Sequence, residues 1–456
     1  MTTKKLDATA SSPYPLSENT VRRKGRFKRI RILVYADFVV LMMVLFGSVL
    51  LRFGTNWPKG FSTYLVGFLV ASALHLLIYY FGELYDNAPR IGAKLWLPKV
   101  TALTSIAILL DAAIALITDY YLMPRGNLLI LFVFGSLGVT FNRWLSGKVR
   151  VQRYGTPRVI LVGSETDINM GKEHIKECGS KLVVVGELSS TSQLSSEIAS
   201  RQATDVLLLT SGLLSDIYPK PLEDLELKMV GVFQQILPSD TLLGLRRSIQ
   251  IAGMPFTSLR AHTLSASRSH FKIFTECIYL LVLSIPILVV TLLMATYIRI
   301  IAGKKIIHKQ ERVGKFGSTF NMLKFRTMRH NAEGHTGTVK AQKDDPRVIT
   351  GLNWVRRSRL DELPQFINVL KGEMSIIGPR PERPDFTKEY EGLIPGYGRR
   401  HDIPPGITGL AQVSGHYHTD PSYKLGHDLQ YLVNWSPILD LQILIRTVWV
   451  IFIGRT

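Results

Sequence analysis

Four apolar runs, at roughly residues 30–51, 61–82, 98–118 and 126–145, are each near the ~20 residues that a helix needs to cross a bilayer. A polar start with Ser and Pro, residues 1–29, precedes them and ends in Arg22, Arg23, Lys24, Arg26, Lys28 and Arg29; it reads as disordered. Asp37 and Asp111 interrupt two of the runs. A carboxylate at membrane depth faces the interior of a bundle, either as a helix–helix contact or as a functional group. Residues 30–146 therefore predict a four-helix transmembrane bundle.

Past the bundle the period changes. Short β-branched runs recur as RVILVGS at 158–164, KLVVVGEL at 181–188, DVLLLTS at 205–211 and KMVGVFQQIL at 228–237, with polar, partly helical stretches between them. That alternation predicts parallel strands with crossovers, a Rossmann-like α/β domain over 147–255. The first strand ends in Gly163-Ser164, but the glycine positions of a GxGxxG turn hold Gly163, Glu165 and Ile168. One match in three argues against cofactor binding there.

A fifth apolar run, 271–302, is long enough to cross, yet Ser284 and Pro286 sit at its middle. Proline removes a backbone donor and clashes with the preceding turn, so a kink or break is expected. Lys and Arg decide topology. The N-terminal cluster, then Arg90, Lys94 and Lys99, then Arg143, Lys148, Arg150 and Arg153 mark cytoplasmic segments, against Arg52, Lys59 and Arg125 in the loops between. Arg260, Arg268 and Lys272 precede the fifth run; Arg299, Lys304, Lys305, Lys309 and Arg312 follow it. Both flanks are cytoplasmic in character. This predicts a re-entrant helix over about 271–302, with a kinked fifth span as the alternative. The chain then turns polar and closes on SPILDLQILIRTVWVIFI from Ser436, an amphipathic helix for a membrane surface or a core.

Charge narrows the partners. A formal net charge of +20 calls for anions, and beside membrane spans these are phosphorylated small molecules or lipid headgroups rather than nucleic acid. The two cysteines, Cys178 and Cys277, form no disulfide framework and no zinc spacing. No secretory signal pattern stands at the N-terminus.

Chemistry concentrates in LDELPQFINVLKGEMSIIGPRPER, residues 360–383. Asp361-Glu362 stands at a predicted helix start, where acidic residues complement the dipole whatever their role. Arg356, Arg357 and Arg359 crowd the pair, and Arg380 is held between Pro379 and Pro381. A carboxylate that attacks a phosphate needs cations to neutralise the phosphoryl oxygens, and its neighbour can hold a magnesium ion. This constellation fits metal-assisted phosphoryl transfer through an aspartyl intermediate. In KFRTM, Lys324 and Arg326 fall on one face of a predicted strand; Gln310, Arg312, Gly314 and Gly317 read as a turn before it. The hairpin serves either as an anion contact or as a basic surface on lipid. In IPPGITGLAQVSG, 403–415, the glycines permit close backbone approach to a ligand, and loop geometry explains them equally well. His401, His416, His418 and His427 lack metal-ligand spacing and read as surface or supporting residues.

Taken together, these motifs resemble the bacterial sugar transferase family, the polyprenyl-phosphate hexose-1-phosphate transferases. The matching elements are the Ser-Ile-Pro-interrupted apolar run, QERVGKFGSTFNMLKFRTM, DDPRVI, LDELPQFINVLKGEMSIIGPRPE and PPGITGLAQVSG, in order across 267–456. The N-terminal half resembles the large members by architecture only. The resemblance implies a C-terminal catalytic domain on the cytoplasmic side of the bacterial inner membrane. Its substrates would be a UDP-hexose, glucose first and galactose second, and undecaprenyl phosphate. Asp361 would be the nucleophile and Glu362 a magnesium ligand. Arg380, Lys324, Arg326 and Arg312 would contact phosphate, and Glu382 and Gln412 would line the site. A homodimer is expected of large members. Arg359 stands where many members have Ser. Two rivals stay open: direct transfer without a covalent intermediate, and a non-catalytic membrane receptor or scaffold.

Overall fold

The computed structural model describes the chain from residue 16 to 453, apart from 58–59, 87–90, 93–95, 119–124, 180, 211, 219, 238–239, 241–247, 261–263, 330–345, 395 and 415–419. The predicted Arg90, Lys94, Lys59, Asp344, Asp345, Gly415, His416 and His418 lie outside the described residues. The chain divides into two compact units, residues 1–211 with 230–258, and residues 212–229 with 259–456.

The first unit begins with α1 (Leu16–Phe53), α2 (Phe61–Phe81), α3 (Trp96–Thr118) and α4 (Arg125–Ile130), which passes through a π-turn at Leu131–Gly135 into α5 (Ser136–Tyr154). The helix α1 takes in the basic cluster that the sequence assigned to a disordered start, since Arg and Lys are themselves good helix formers. Among the described residues, four stretches here are long and apolar enough to cross a membrane. Each buries one stripe. In α2 it is Tyr64, Phe68, Ala71, Ser72, His75 and Tyr79, and in α3 Val100, Thr104, Ala107, Asp111 and Ala115, both at helical spacing. The other faces carry exposed Leu, Ile and Val, as lipid contact requires. Both interrupting carboxylates point inward: Asp37 is fully buried against Arg143, and Asp111 lies 3.6 Å from His75.

The same unit continues as β1 (Arg158–Val162), α6 (Glu165–Glu177), β2 (Val183–Leu188), α7 (Leu194–Arg201) and β3 (Asp205–Leu208). The crossover helices α8 (Leu214–Ile217) and α9 (Leu222–Leu227) follow and belong to the second unit. The sheet closes with β4 (Gly231–Gln235), β5 (Ile249–Ile251) and β6 (Met254–Leu259), in the order β2-β1-β3-β4-β6-β5, and the first four strands are parallel. At the β1–α6 turn, Ser164 caps the helix and Asp167 accepts from Ser164 and Thr210. A carboxylate thus fills the helix N-terminus where a phosphate would dock.

The second unit is built on α10 (Ala266–Ala302), a helix of 37 residues with Pro286 inside it. The chain stays helical through the expected break. Pro286 brings no N–H, and the Ser284 hydroxyl donates to Leu281 O at 2.8 Å in the same turn. Its two ends pack in two cores of this unit. Phe271, Tyr279 and Leu280 join a cluster with Ile377, Tyr431 and Ile443; Met294, Ile298 and Ile301 join one with Phe325, Leu352 and Leu360. Between them Leu281, Val282, Ile285, Leu288 and Leu292 are exposed.

Around α10 run the hairpin β7 (Ile307–Val313) and β8 (Thr319–Phe325), α11 (Asn353–Arg357), a 3-10 turn at Leu360–Glu362, α12 (Gln365–Leu370) and β9 (Ser375–Ile377). The chain ends in α13 (Pro384–Leu393), β10 (Gly406–Thr408), α14 (Leu410–Ser414), α15 (Pro421–Asn434) and α16 (Pro437–Ile453). The hairpin turn is confined to Gly314–Ser318, so Gln310 and Arg312, expected in the turn, lie in β7. The helix α16 packs one face into the core, as its sequence allowed, and leaves an apolar face outside it. Asp440 and Ile443 are buried, while Ile438, Ile445 and Trp449 face outward.

Candidate active site

The 3-10 turn carries Asp361 and Glu362 between Leu360 and Leu363, and both leucines pack against the C-terminal end of α10. Apolar anchors on either side of an acidic pair fix its position without using its oxygens. Opposite stands β8. Asn368 of α12, fully buried, accepts from Leu323 N at 3.0 Å and donates to Asn321 O at 2.8 Å, and so ties the helix after the pair to the strand that bears Lys324.

Three cations meet on one oxygen. Glu362 Oε1 accepts from Lys324 Nζ at 3.1 Å, Arg380 at 3.2 Å and Arg359 at 3.4 Å. Burial alone would raise this carboxyl, but Lys324, Arg380 and Arg359 hold it far below the ordinary carboxylate range. Glu362 is therefore a fixed anion. Among the described residues no hydrogen bond or ion pair reaches its Oε2, and none reaches the half-buried Asp361 carboxylate. Burial, and next the Glu362 charge, push Asp361 up to about 6. It is ionised at neutral pH, unpaired, and beside a cluster of cations that offsets the charge of an approaching phosphate.

Arg380 is aimed by its backbone. Parallel pairing of β9 with β10 places Gly406 opposite Ser375, and Gly406 N donates to Pro379 O at 2.9 Å. A Cβ on Gly406 would lie 2.1 Å from Gly378 N, and one on Gly409 2.1 Å from Gly378 O. Of the two readings the sequence left open for these glycines, ligand approach and loop geometry, the second holds at Gly406 and Gly409, where backbone closes on backbone. Arg400, buried and missed by the sequence analysis, donates to Arg380 O at 2.9 Å and pairs with Asp428 at 2.9 Å. The only sequence signal for it was its place just ahead of the PPGITG motif. A second missed cluster locks the base of α10: Lys272 reaches Glu276 at 2.6 Å, Tyr431 at 2.9 Å and Ile377 O at 2.9 Å, and Tyr431 donates to Asp440 at 2.7 Å.

The other predicted residues take supporting positions. Arg312 donates to Pro381 O at 3.0 Å and to Gln310 at 2.7 Å, and lies 4.0 Å from Glu382. Together with Val313 N, which donates to Glu382 O at 2.9 Å, this fastens the hairpin to the Pro-Arg-Pro loop. Arg326 lies just past β8, and its guanidinium donates to Ala302 O at the C-terminal end of α10, away from Lys324's partner. The Gln412 amide donates to Ile407 O at 3.1 Å, and its buried Oε1 meets no hydrogen-bond partner among the described residues. His401 is pushed down to about 4 by burial and then by Arg400, so it is neutral near pH 7.

No group of three or more His, Cys, Asp or Glu gathers among the described residues. Glu362 Oε2 and the Asp361 carboxylate are nevertheless acidic oxygens on adjacent residues that no hydrogen bond or ion pair reaches among the described residues. That donor set suits a magnesium ion, which takes one or two protein carboxylates and completes its shell with phosphate oxygens and water.

Residues 267–454 match the family model described as bacterial sugar transferase. A Klebsiella pneumoniae UDP-glucose:undecaprenyl-phosphate glucose-1-phosphate transferase is 37% identical over 215 residues, 46% of each chain. An Aeromonas hydrophila UDP-N-acetylgalactosamine-undecaprenyl-phosphate N-acetylgalactosaminephosphotransferase is 42% identical over 163 residues, 35% of this chain and 38% of the relative. The matched region spans about half or less of the length of these two relatives. The exopolysaccharide production protein ExoY of Sinorhizobium fredii is 35% identical over 167 residues, 34% of this chain but 73% of its own length. With most of ExoY covered and the acidic pair, Lys324 and Arg380 assembled inside the matched region, the chain belongs to the bacterial sugar transferase family.

Proposed function

We propose that this protein transfers hexose-1-phosphate from a UDP-hexose to undecaprenyl phosphate, releasing UMP and forming undecaprenyl-diphosphate-hexose, the first committed step of an exopolysaccharide or O-antigen. The observation that carries this reading is the unpaired Asp361 carboxylate next to a Glu362 oxygen fixed by three cations. An Asp361 oxygen attacks the sugar-side phosphorus. The bond from that phosphorus to the UMP oxygen breaks, and UMP leaves with its electron pair. A lipid-phosphate oxygen then attacks the same phosphorus and releases Asp361. Arg380 and Lys324 neutralise phosphoryl oxygens in both steps. Glu362 Oε2 and Asp361 would hold magnesium, which when bound adds further neutralisation of phosphate charge.

Nucleotide sugars are cytoplasmic, so the second unit must face the cytoplasm. A re-entrant α10 is supported by the flanking charges and by both helix ends packing in cores of one unit with an exposed apolar middle between them. The sugar is read as glucose first and galactose second; relatives' names divide between glucose, N-acetylgalactosamine and galactose. For the α/β domain, kept in the Rossmann-like reading, dimerisation or regulation is the assigned role.

The test incubates the purified enzyme with magnesium, undecaprenyl phosphate and UDP-glucose, UDP-galactose or UDP-N-acetylgalactosamine in turn, and measures UMP. Release with one donor, lost in Asp361→Asn, is the expected result. A lipid-free incubation at high enzyme concentration is expected to give a stoichiometric UMP burst. Steady release with lipid and no burst without it would favour direct transfer, and silence with every donor would revive the receptor reading.

A further inference from the structure

Arg359 begins the turn that carries the acidic pair, and its backbone is left-handed (φ 59°, ψ 13°). A side chain in that region is sterically penalised, and glycine takes it freely. The turn needs the conformation. Arg359 N donates to Arg356 O at 3.1 Å as α11 ends, and Glu362 N donates to Arg359 O at 3.0 Å as the 3-10 turn starts. An arginine nevertheless occupies a position that glycine would suit better. Strain of this kind persists where the side chain has a task.

The side chain returns three residues on, to Glu362 Oε1 at 3.4 Å. The other two cations on that oxygen come from distant segments, Lys324 from β8 and Arg380 from the Pro-Arg-Pro loop. Arg359 is the one of the three that rides on the turn itself. Two cations from separate elements thus share the one oxygen. A third from its own turn settles its rotation, leaving Oε2 and Asp361 as the open oxygens.

We infer that Arg359 is a positioning residue: it locks Glu362 Oε1 into the cation cluster and so keeps Glu362 Oε2 and the Asp361 carboxylate turned to the phosphate-bearing ligand. This rests on the proposed transferase reading. It acts on turnover rather than on donor binding, because Lys324 and Arg380 remain to hold phosphate.

The experiment compares Arg359→Gly, Arg359→Ala and Arg359→Lys with wild type by UMP release and by thermal unfolding of the full chain in detergent. Glycine relieves the left-handed strain and alanine keeps it, so Arg359→Gly is expected to melt about 2–4 °C above Arg359→Ala. Both lose the guanidinium, and both are expected to lose about tenfold in kcat with KM for the nucleotide sugar within about twofold. Arg359→Lys, which keeps a cation, is expected to recover more than half of the wild-type kcat. A glycine variant with wild-type kcat overturns the proposal, as does turnover that follows melting temperature across the series. If wild type itself releases no UMP with any donor, the transferase reading fails first and takes this role with it. Wild-type release with unaltered variants removes Arg359 alone.

Discussion

The membrane bundle and the C-terminal unit each bury a carboxylate against arginine, and they finish it differently. In the bundle, Asp37 Oδ2 accepts from Tyr85 at 2.8 Å and Arg143 at 2.5 Å, and Oδ1 from Asn142 at 3.0 Å. Both oxygens are spent. In the C-terminal unit three cations share Glu362 Oε1, while among the described residues no hydrogen bond or ion pair reaches Oε2 or the Asp361 carboxylate. Buried charge of the first kind is structural, because every lone pair already has its donor. The second kind leaves an anion where a phosphate or a metal can reach it. Burial and charge pairing alone do not separate the two; counting the oxygens left over does.

Replacement of the open carboxylate is the strongest test. Asp361→Asn should lower UMP release by about 10³-fold or more while the melting temperature stays within a few degrees. Residual activity near wild type would place Asp361 with Asp37 among the structural acids. The closed pair should behave in the opposite way. Asp37→Ala strands the Arg143 guanidinium in the bundle and should destabilise the fold by about 3–5 kcal/mol, read by thermal unfolding. The surviving folded fraction should turn over near the wild-type rate, and a selective loss of turnover would show the bundle acting on the chemistry.

Glu362→Gln lies between these extremes. It keeps the shape and loses the charge that three cations were placed to meet, so turnover should drop about 10–100-fold. The magnesium concentration for half-maximal rate should rise with it, and an unchanged requirement would remove Glu362 as a ligand. Smallest is the pH effect. In the proposed mechanism Asp361 attacks as the carboxylate, and its pKa is raised to about 6, so the rate should be flat near pH 7 and fall about tenfold per unit well below pH 6. An acid limb near pH 4 instead would mean that the Asp361 carboxylate is solvated like an ordinary surface aspartate.

Much of this site was legible in local spacing. The adjacent acids at a helix start, the proline-flanked arginine and the strand bearing Lys324 are each a matter of a few consecutive residues. What local spacing could not give was which cation meets which acid. Lys324 and Arg326 alternate along the chain and were read as a matched pair, yet the strand ends at Phe325, and Arg326 turns to cap α10. The glycines of PPGITG were equally ambiguous, since close approach to a ligand and close approach to Gly378 ask for the same missing Cβ.

By itself the sequence determined the membrane helices, the parallel α/β stretch and the order of the acidic and basic motifs, because hydrophobic period and turn chemistry act over a single element. It also put Asp37 and Asp111 inside, since a charge in a lipid-facing position costs too much. Tertiary structure alone decided the pairings: Arg143 with Asp37 across 106 residues, Lys324 with Glu362 across 38, and Arg400 with the Arg380 carbonyl across 20. Contacts at such separations depend on how whole elements pack. Only that packing determines which oxygen is taken up by a cation and which is not.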